Sequence, residues 1–199
     1  MTVLTTNPPD RPLLEPGMRP LLKITDVDSL PREIGGCDVD YELDNGRLII
    51  VVPPGDSHGS TQANIVTELK IQGERRGHGK ARTEVGVVLW RDPDRLLGTD
   101  VVFIAAESLP IKKTPEGYID GAPDLAVEVR SKNDSWPFLQ RKVEDYLTAG
   151  SKVVWVADPE TRTIKVYQGQ ETKTLNADDT LTLDMIPDFS VRVGVFFEE

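Results

Sequence analysis

Hydrophobic residues along this chain fall into short runs separated by turn residues, which is the pattern of a domain rich in β-strands. Asn45-Gly46 lies between two such runs and predicts a hairpin over residues 41–52. The later runs predict four buried strands, at residues 81–90, 100–104, 123–131 and 152–158. A closing hairpin is expected over 163–167 and 172–175, and the alternating stretch 181–197 is expected to pack on the edge of the sheet.

Stretches with apolar residues at helical spacing interrupt these strands. The first long helix is predicted over residues 57–76, with Ser57 as its N-cap. The second is predicted over residues 136–149, because its apolar residues form one stripe that can press on a sheet: Leu139, Val143 and Leu147. A short helix capped by Thr25 is also expected over residues 24–30.

This order of elements favours an α/β (α+β) fold in which a mixed β-sheet is flanked by helices. The middle strands are apolar on both faces, so both faces of the sheet need cover. A hairpin precedes these strands and a β extension follows them. The length of 199 residues suits one domain, expected over residues 23–199, and the Pro-rich segment 1–22 is expected to form an N-terminal arm.

Composition excludes several classes of protein. The single cysteine, Cys37, excludes an internal disulfide framework and a cysteine-rich zinc site, and the presence of only two histidines argues against a histidine metal cage. Any metal is therefore expected to have oxygen ligands, as Mg²⁺ does. No run reaches the roughly 18 apolar residues that a membrane-spanning helix needs. The N-terminus also lacks a signal-peptide pattern, so we expect a cytoplasmic protein with no membrane partner.

The formal net charge of −10 argues against indiscriminate binding to nucleic acid but is compatible with a local basic groove. The densest basic segment comprises Lys70, Arg75, Arg76, His78, Lys80 and Arg82. This segment either follows a nucleic-acid backbone or forms a mixed solvated face with the glutamates among it. The second interpretation is favoured.

Two carboxylates stand out because they lie in apolar strands, where a charge is costly unless it is paired or bound to a metal. Asp100 opens the run at 100–104, and Glu128 lies within the run at 123–131. With Lys142 on the second long helix, they form a group that suits phosphodiester hydrolysis. The carboxylates can hold Mg²⁺, which lowers the pKa of a bound water, while the lysine orients that water or offsets negative charge. A buried ion pair among the same residues would explain the pattern without catalysis.

Several short motifs follow one another at a specific spacing between residues 24 and 167. They are Tyr41-Glu42-Leu43, Asn45-Gly46-Arg47-Leu48, Pro53-Pro54 followed by His58, Thr99-Asp100-Val101, Pro123-Asp124-Leu125-Ala126-Val127-Glu128-Val129-Arg130-Ser131, Lys142 with Tyr146, Ala149-Gly150, and Val154-Trp155-Val156 with Asp158-Pro159. In this order they resemble the Uma-two family of restriction endonucleases, whose fold is the PD-(D/E)XK nuclease core. Thr99 stands where the family usually has proline, and the segment 132–137 is less typical of it.

The resemblance implies that Asp100 and Glu128 are ligands of Mg²⁺, for which Mn²⁺ can substitute, with Val129 in the same metal-binding set. It also implies that Lys142 is the catalytic lysine. Most PD-(D/E)XK enzymes have this lysine two residues after the Glu, where this chain has Arg130. An arginine cannot serve as a base, but it can contact phosphate or stabilise charge at the site.

For some residues the sequence leaves two interpretations open. Glu42 either adds a third carboxylate to the catalytic site or pairs with Arg47 across the hairpin. His58 either points into the cleft or lies on the surface of the first helical turn, and the surface position is favoured. Lys142 either reaches the carboxylates along the edge of the core or stays solvated on its helix.

The resulting hypothesis is a magnesium-dependent endonuclease that hydrolyses phosphodiester bonds in DNA. A homodimer is expected, because cutting both strands of a duplex is simplest with two related sites. The alternative is a catalytically silent module that binds nucleic acid or protein on the same fold, since a fold alone does not fix function.

Overall fold

The computed structural model of the protein describes residues 20–132 and 134–198. The arm predicted at residues 1–22 lies almost wholly outside them. The α-helices are α1 (Ile24–Val27), α2 (Asp56–Glu68) and α3 (Trp136–Ala149). The strands are β1 (Glu33–Ile34), β2 (Cys37–Asp38), β3 (Asp40–Asp44), β4 (Arg47–Val51), β5 (Gly79–Trp90), β6 (Arg95–Ala105), β7 (Ile119–Asp120), β8 (Leu125–Val129), β9 (Val153–Asp158), β10 (Thr163–Gln168), β11 (Glu171–Leu175), β12 (Thr180–Thr182) and β13 (Ser190–Arg192).

Nine strands form one mixed sheet within the described residues. Its neighbours follow the order β11-β10-β9-β8-β6-β3-β4, while β5 lies on the other edge of β6 and pairs in turn with β7. The β8–β9 and β5–β7 pairs are parallel and the other pairs are antiparallel. The four strands that the sequence predicts as neighbours correspond to β5, β6, β8 and β9, which do lie side by side, so that prediction is confirmed.

Each face of the sheet is covered by different elements. Helix α2 packs on one face, where Ile65 and Leu69 join a core that includes Trp155 of β9. Helix α3 packs on the other face through Leu139, Val143 and Tyr146. Cover on both faces agrees with the apolar character of the middle strands. No helix in the described part of the chain is long and apolar enough to cross a membrane.

The C-terminal stretch packs on a face of the sheet, so the prediction that it lies at the sheet edge is wrong. Phe189 and Phe196 are buried in the same core as α2, and the ring of Phe189 lies 6.1 Å from that of Trp155. Strands β12 and β13 pair only with each other, within the part of the chain that the structure describes. The 13 residues of α2 share this face with the C-terminal aromatic residues, which belong to the same core.

The helix boundaries also differ in detail from the predicted ones. Helix α2 begins at Asp56 after Gly55, not at a Ser57 cap, and passes at Leu69–Gly73 into a π-helical turn. A final 3₁₀ turn carries the helical segment to Arg76, the predicted end. Helix α1 begins after Lys23 and ends at Val27, so Thr25 lies inside it and is not its cap. The predicted span of α3 is confirmed.

Strand β6 is longer than predicted, and this places the site. It begins at Arg95, so Asp100 lies in its interior. Strand β5 pairs along one edge of β6, while β3 and β8 share the opposite edge. On that shared edge, pairing with β3 occurs at Leu96 and pairing with β8 begins at Val101. Residues 97–100 of β6 therefore face a gap between two strands.

Candidate active site

Two carboxylates accept hydrogen bonds from backbone N–H groups at the gap beside β6. The N–H of Gly98 donates to Glu42 Oε1 at 3.1 Å, and the N–H of Val129 donates to Asp100 Oδ2 at 2.6 Å. Side chains thus replace some of the strand-to-strand hydrogen bonds that the interrupted pairing leaves out. The β6–β8 register pairs Val101 with Val127 and, continued by one step, sets Asp100 opposite Glu128.

Lys142 of α3 joins two of these carboxylates. Its ammonium nitrogen lies 2.8 Å from Glu42 Oε1 and 2.9 Å from Glu128 Oε2. The lysine side chain is only 8% exposed, so this is a buried charge whose two partners are buried as well. Of the two interpretations of Lys142, the structure supports the one in which its stem follows the core edge to the carboxylates.

Tyr146 binds the other oxygen of Glu128 and is itself bound by Thr99. The Tyr146 hydroxyl donates to Glu128 Oε1 at 2.7 Å and lies 2.6 Å from the hydroxyl of Thr99. Since a tyrosine has one hydroxyl proton, Thr99 donates to Tyr146 when Tyr146 donates to Glu128. The sequence predicted no role for Tyr146. The available signal was its position four residues after Lys142, which sets both side chains on one helix face.

His58 is buried in the site, so the favoured prediction of a surface position is wrong. The residue is 6% exposed, and its Nε2 lies 3.3 Å from Asp100 Oδ2. Burial disfavours its charged form, but the hydrogen bond and charge of Asp100 outweigh burial and raise the pKa of His58. The sequence could not show this, because the first turn of a helix exposes or buries its residues according to how the helix docks.

The electrostatics of the site are set by three carboxylates close to one lysine. The pKa of Glu128 is raised to about 7. Burial is the largest cause, and the charges of Asp100 and Glu42 act in the same direction, while Lys142 and the Tyr146 hydroxyl act to lower the pKa. Burial disfavours the charged form of Lys142, yet the charges of Glu128 and Glu42 outweigh it and raise the pKa of Lys142 above its usual range. The lysine therefore stays protonated, and negative charge predominates at the site.

The structure brings the predicted Glu42, Asp100, Glu128 and Lys142 together, but it directs Arg130 elsewhere. The Arg130 guanidinium lies 3.1 Å from both Asp158 and Glu160, and 5.5 Å from the ring centre of Trp136. No ion pair or hydrogen bond joins Arg130 to the four residues within the described ranges.

The alternative pairing of Glu42 with Arg47 is not formed in the described residues, where the cationic partner of Glu42 is Lys142.

Two of the six residues of the predicted basic segment form ion pairs with a glutamate within it. Lys80 and Arg82 lie 3.4 Å and 3.7 Å from carboxylate oxygens of Glu74. Arg75 and Arg76 are exposed in the 3₁₀ turn. These contacts agree with the favoured interpretation, a mixed solvated face.

The donors at the site fit a hard divalent cation in their chemistry. Among residues 20–132 and 134–198, no group of three or more His, Cys, Asp or Glu side chains is placed so that it could hold a metal ion. Mg²⁺ does not require such a group, because it is usually bound by one or two carboxylates and keeps several waters. Glu42 Oε2 is buried and has no hydrogen-bond partner in the part of the chain that the structure describes, which leaves part of the negative charge uncompensated. Oxygen donors and excess negative charge are the properties that Mg²⁺ prefers.

Comparisons with known proteins agree with the resemblance seen in the motifs. A family model described as "Uma2: Putative restriction endonuclease" matches residues 26–194. A solved structure, titled as that of a putative nuclease belonging to DUF820 from Anabaena variabilis, is similar with a TM-score of 0.70 and 20% identity. The match covers 85% of this chain and 93% of that one, and at this identity it concerns the fold. No curated protein matches the chain.

Proposed function

The chain belongs to the Uma2 family, and on that premise we propose that it is a metal-dependent endonuclease that hydrolyses phosphodiester bonds in DNA. The observation that supports this most strongly is the buried contact of Lys142 with Glu128 and Glu42. Helix α3 places this lysine beside Glu42 of β3 and Glu128 of β8, where strand pairing along β6 is interrupted. A contact that served stability alone would gain little from burying three charges, since apolar residues of similar volume stabilise as well or better.

In this proposal Asp100 and Glu128 bind the metal, with the backbone carbonyl of Val129 in the same set. Bound Mg²⁺, or Mn²⁺ in its place, supplies a Lewis acid at the phosphate and a water of lowered pKa. The carboxylates hold the ion and fix where the phosphate binds. Glu128 has to be ionised to act as a ligand, so its pKa of about 7 makes metal binding stronger above neutral pH.

Lys142 acts in this proposal as a fixed positive charge and not as a base. Its raised pKa keeps the ammonium protonated, so it cannot accept a proton from water at neutral pH. It can orient the attacking water or offset the negative charge that develops on the phosphate. Glu42 holds the same ammonium at 2.8 Å and keeps Lys142 in place when Glu128 binds the ion.

The proposed substrate is DNA, and the proposed assembly is a homodimer with one site per chain. Two sites related by a two-fold axis match the two antiparallel strands of a duplex. The net charge of −10 points to recognition through a local surface around the site. We place this activity in the cytoplasm, as expected from the sequence.

The direct test is nicking of supercoiled plasmid DNA in Mn²⁺ by the wild-type protein and by Glu128→Gln. The wild type should nick the plasmid, and the variant should be slower by about 100-fold or more, because an amide neither carries the charge nor binds the metal as a carboxylate does. Glu144→Gln, an exposed position on α3, is the matched control and should nick at the wild-type rate. An inactive wild type that still binds DNA would instead support the silent binding module.

A further inference from the structure

The two oxygens of the Asp100 carboxylate have different surroundings. Oδ2 accepts the Val129 N–H at 2.6 Å and also lies 3.3 Å from Nε2 of His58. Among the described residues, no hydrogen bond reaches Oδ1. One oxygen is therefore held by two protein groups, while the other is left for a further partner.

The two ring nitrogens of His58 have different surroundings, since Nε2 lies 3.3 Å from Asp100 Oδ2. The other ring nitrogen, Nδ1, is buried and has no hydrogen-bond partner among the described residues. A histidine that binds a metal almost always donates its second ring N–H to an acceptor. With no acceptor at Nδ1, the neutral ring is better satisfied with its proton on Nε2, directed at Asp100.

His58 and Tyr146 have comparable positions on opposite sides of the sheet. His58 belongs to α2 on one face and lies against Asp100, while Tyr146 belongs to α3 on the other face and donates to Glu128. Helix α2 thus places His58 against one oxygen of Asp100, while α3 supplies a donor to each oxygen of Glu128, Tyr146 to Oε1 and Lys142 to Oε2. Contacts of this kind around a metal site fix the orientation of ligands without touching the ion.

We infer that His58 is a positioning residue that fixes Asp100 through Oδ2, so that Oδ1 is the oxygen that binds the divalent cation. The inference rests on the proposed function, because it requires Asp100 to be a metal ligand. In this arrangement α2, through His58, determines the orientation of the Asp100 side chain. Direct ligation of the metal by His58 is the competing arrangement.

Titration of the full-length protein with Mn²⁺, followed by calorimetry, separates the two arrangements. His58→Ala should weaken Mn²⁺ binding about 10-fold, the lower end of the effect seen for groups that orient metal ligands. His58→Gln should stay within about 3-fold of the wild type, because its amide retains an N–H donor near the position of Nε2. His78→Gln, at the other histidine, is the control and should bind as the wild type does.

Pulsed electron paramagnetic resonance of Mn²⁺ bound to the wild type supplies a readout that needs no variant. The positioning role predicts no coupling to a directly bound imidazole nitrogen. Such a coupling, or a His58→Gln variant as weak as His58→Ala, would overturn the positioning role and leave the proposed function intact. Wild-type affinity in His58→Ala would overturn it as well. A wild type that does not bind Mn²⁺ would contradict the proposed function and this inference together.

Discussion

At the scale of single residues, the site depends on a lysine that is buried only because carboxylates surround it. Removing two opposite charges from water costs several kcal/mol per ion, and only close, well-bonded partners return that cost. Lys142 has such partners in Glu42 and Glu128, at 2.8 Å and 2.9 Å. Loss of the lysine therefore leaves two buried carboxylates close together.

We expect Lys142→Met to lower the free energy of unfolding by about 3 kcal/mol, because it leaves buried charges without a partner. The loss should be larger at pH 8.5 than at pH 5. Glu128 has a pKa of about 7 in the folded protein against an ordinary value of 4.5, and the charge of Lys142 lowers it. Without the lysine, ionised Glu128 therefore destabilises the fold further above pH 7, while at pH 5 Glu128 is protonated and this cost is absent. Urea unfolding at both pH values measures this, with the exposed Lys173→Met as control. Equal losses at both pH values would contradict the assignment.

We expect Tyr146→Phe to move metal binding to higher pH. Its hydroxyl donates to Glu128 Oε1 and lowers the pKa of that carboxyl, so removing it raises the pKa above about 7. More protons then compete with the metal at neutral pH. Calorimetric titration with Mn²⁺ should show weaker binding than wild type at pH 6.5 and a smaller difference at pH 8.5. A difference that does not change with pH would argue against this role for Tyr146.

The residues that sequence analysis could identify are those whose chemistry conflicts with their surroundings. Asp100 and Glu128 are charged residues in apolar strands, and Lys142 lies beside an apolar helical stripe. Their metal-binding and catalytic roles stay predictions, but their proximity is observed. His58 was missed, because nothing local to its helical turn shows which face of the sheet α2 covers.

At the scale of elements, the ends of three strands meet at one residue. Asp124, just before β8, accepts the N–H of Ala105 at the end of β6 at 2.8 Å and the hydroxyl of Ser108 at 3.1 Å. Lys152, just before β9, lies 2.9 Å from the same carboxylate. These bonds fix the ends of β6, β8 and β9 opposite the site, so they fix the register that sets Asp100 against Glu128.

We expect Asp124→Asn to lower the free energy of unfolding by about 2 kcal/mol at pH 7, the range found for hydrogen bonds to charged groups. Burial acts to raise the pKa of Asp124, but the hydrogen bonds from Lys152 and from the Ala105 N–H outweigh it and lower that pKa. The stabilisation is therefore complete above the ordinary value of 3.8 and is lost as the pH falls through the lower, folded-state value. Denaturant unfolding from pH 7 to pH 2 should show the variant and the wild type converging only in acid. A constant difference would contradict this.

Sequence patterns failed to predict the features that depend on contacts with distant parts of the chain. Strand β6 begins at Arg95, which reads as part of a polar turn, yet its side chain is 2% exposed and lies 2.7 Å from Asp145 of α3. A buried ion pair with a distant helix leaves no local pattern. The same holds for the C-terminal aromatic residues, whose alternation suggests a strand but does not specify the surface they cover.

At the scale of the whole molecule, the order of elements predicted the central strands and the two covering helices correctly. The apolar middle strands demand cover on both faces, and α2 and α3 supply it. Oligomeric state is different, because it depends on surface complementarity that periodicity does not encode. The homodimer therefore stays a prediction based on the symmetry of duplex DNA.

We expect light scattering at micromolar concentration to give twice the chain mass of 22.1 kDa. Two sites related by symmetry would then act on the two strands of a duplex. The matching functional observation is linearisation of plasmid DNA without a long-lived nicked intermediate. A monomer that only nicks would reject the dimer and leave the chemistry of the single site unaffected.

The most direct test of the site is the Lys142→Arg variant, measured for both DNA cleavage and Mn²⁺ binding. Arginine keeps the buried positive charge, but its planar guanidinium has a different shape and cannot occupy the place of the ammonium between Glu42 and Glu128. We predict that single-turnover cleavage of a labelled duplex falls by about 100-fold. Mn²⁺ affinity should stay within about 3-fold of wild type, because Asp100 and Glu128 remain. Cleavage at the wild-type rate would contradict the assignment of Lys142 and with it the proposed active site.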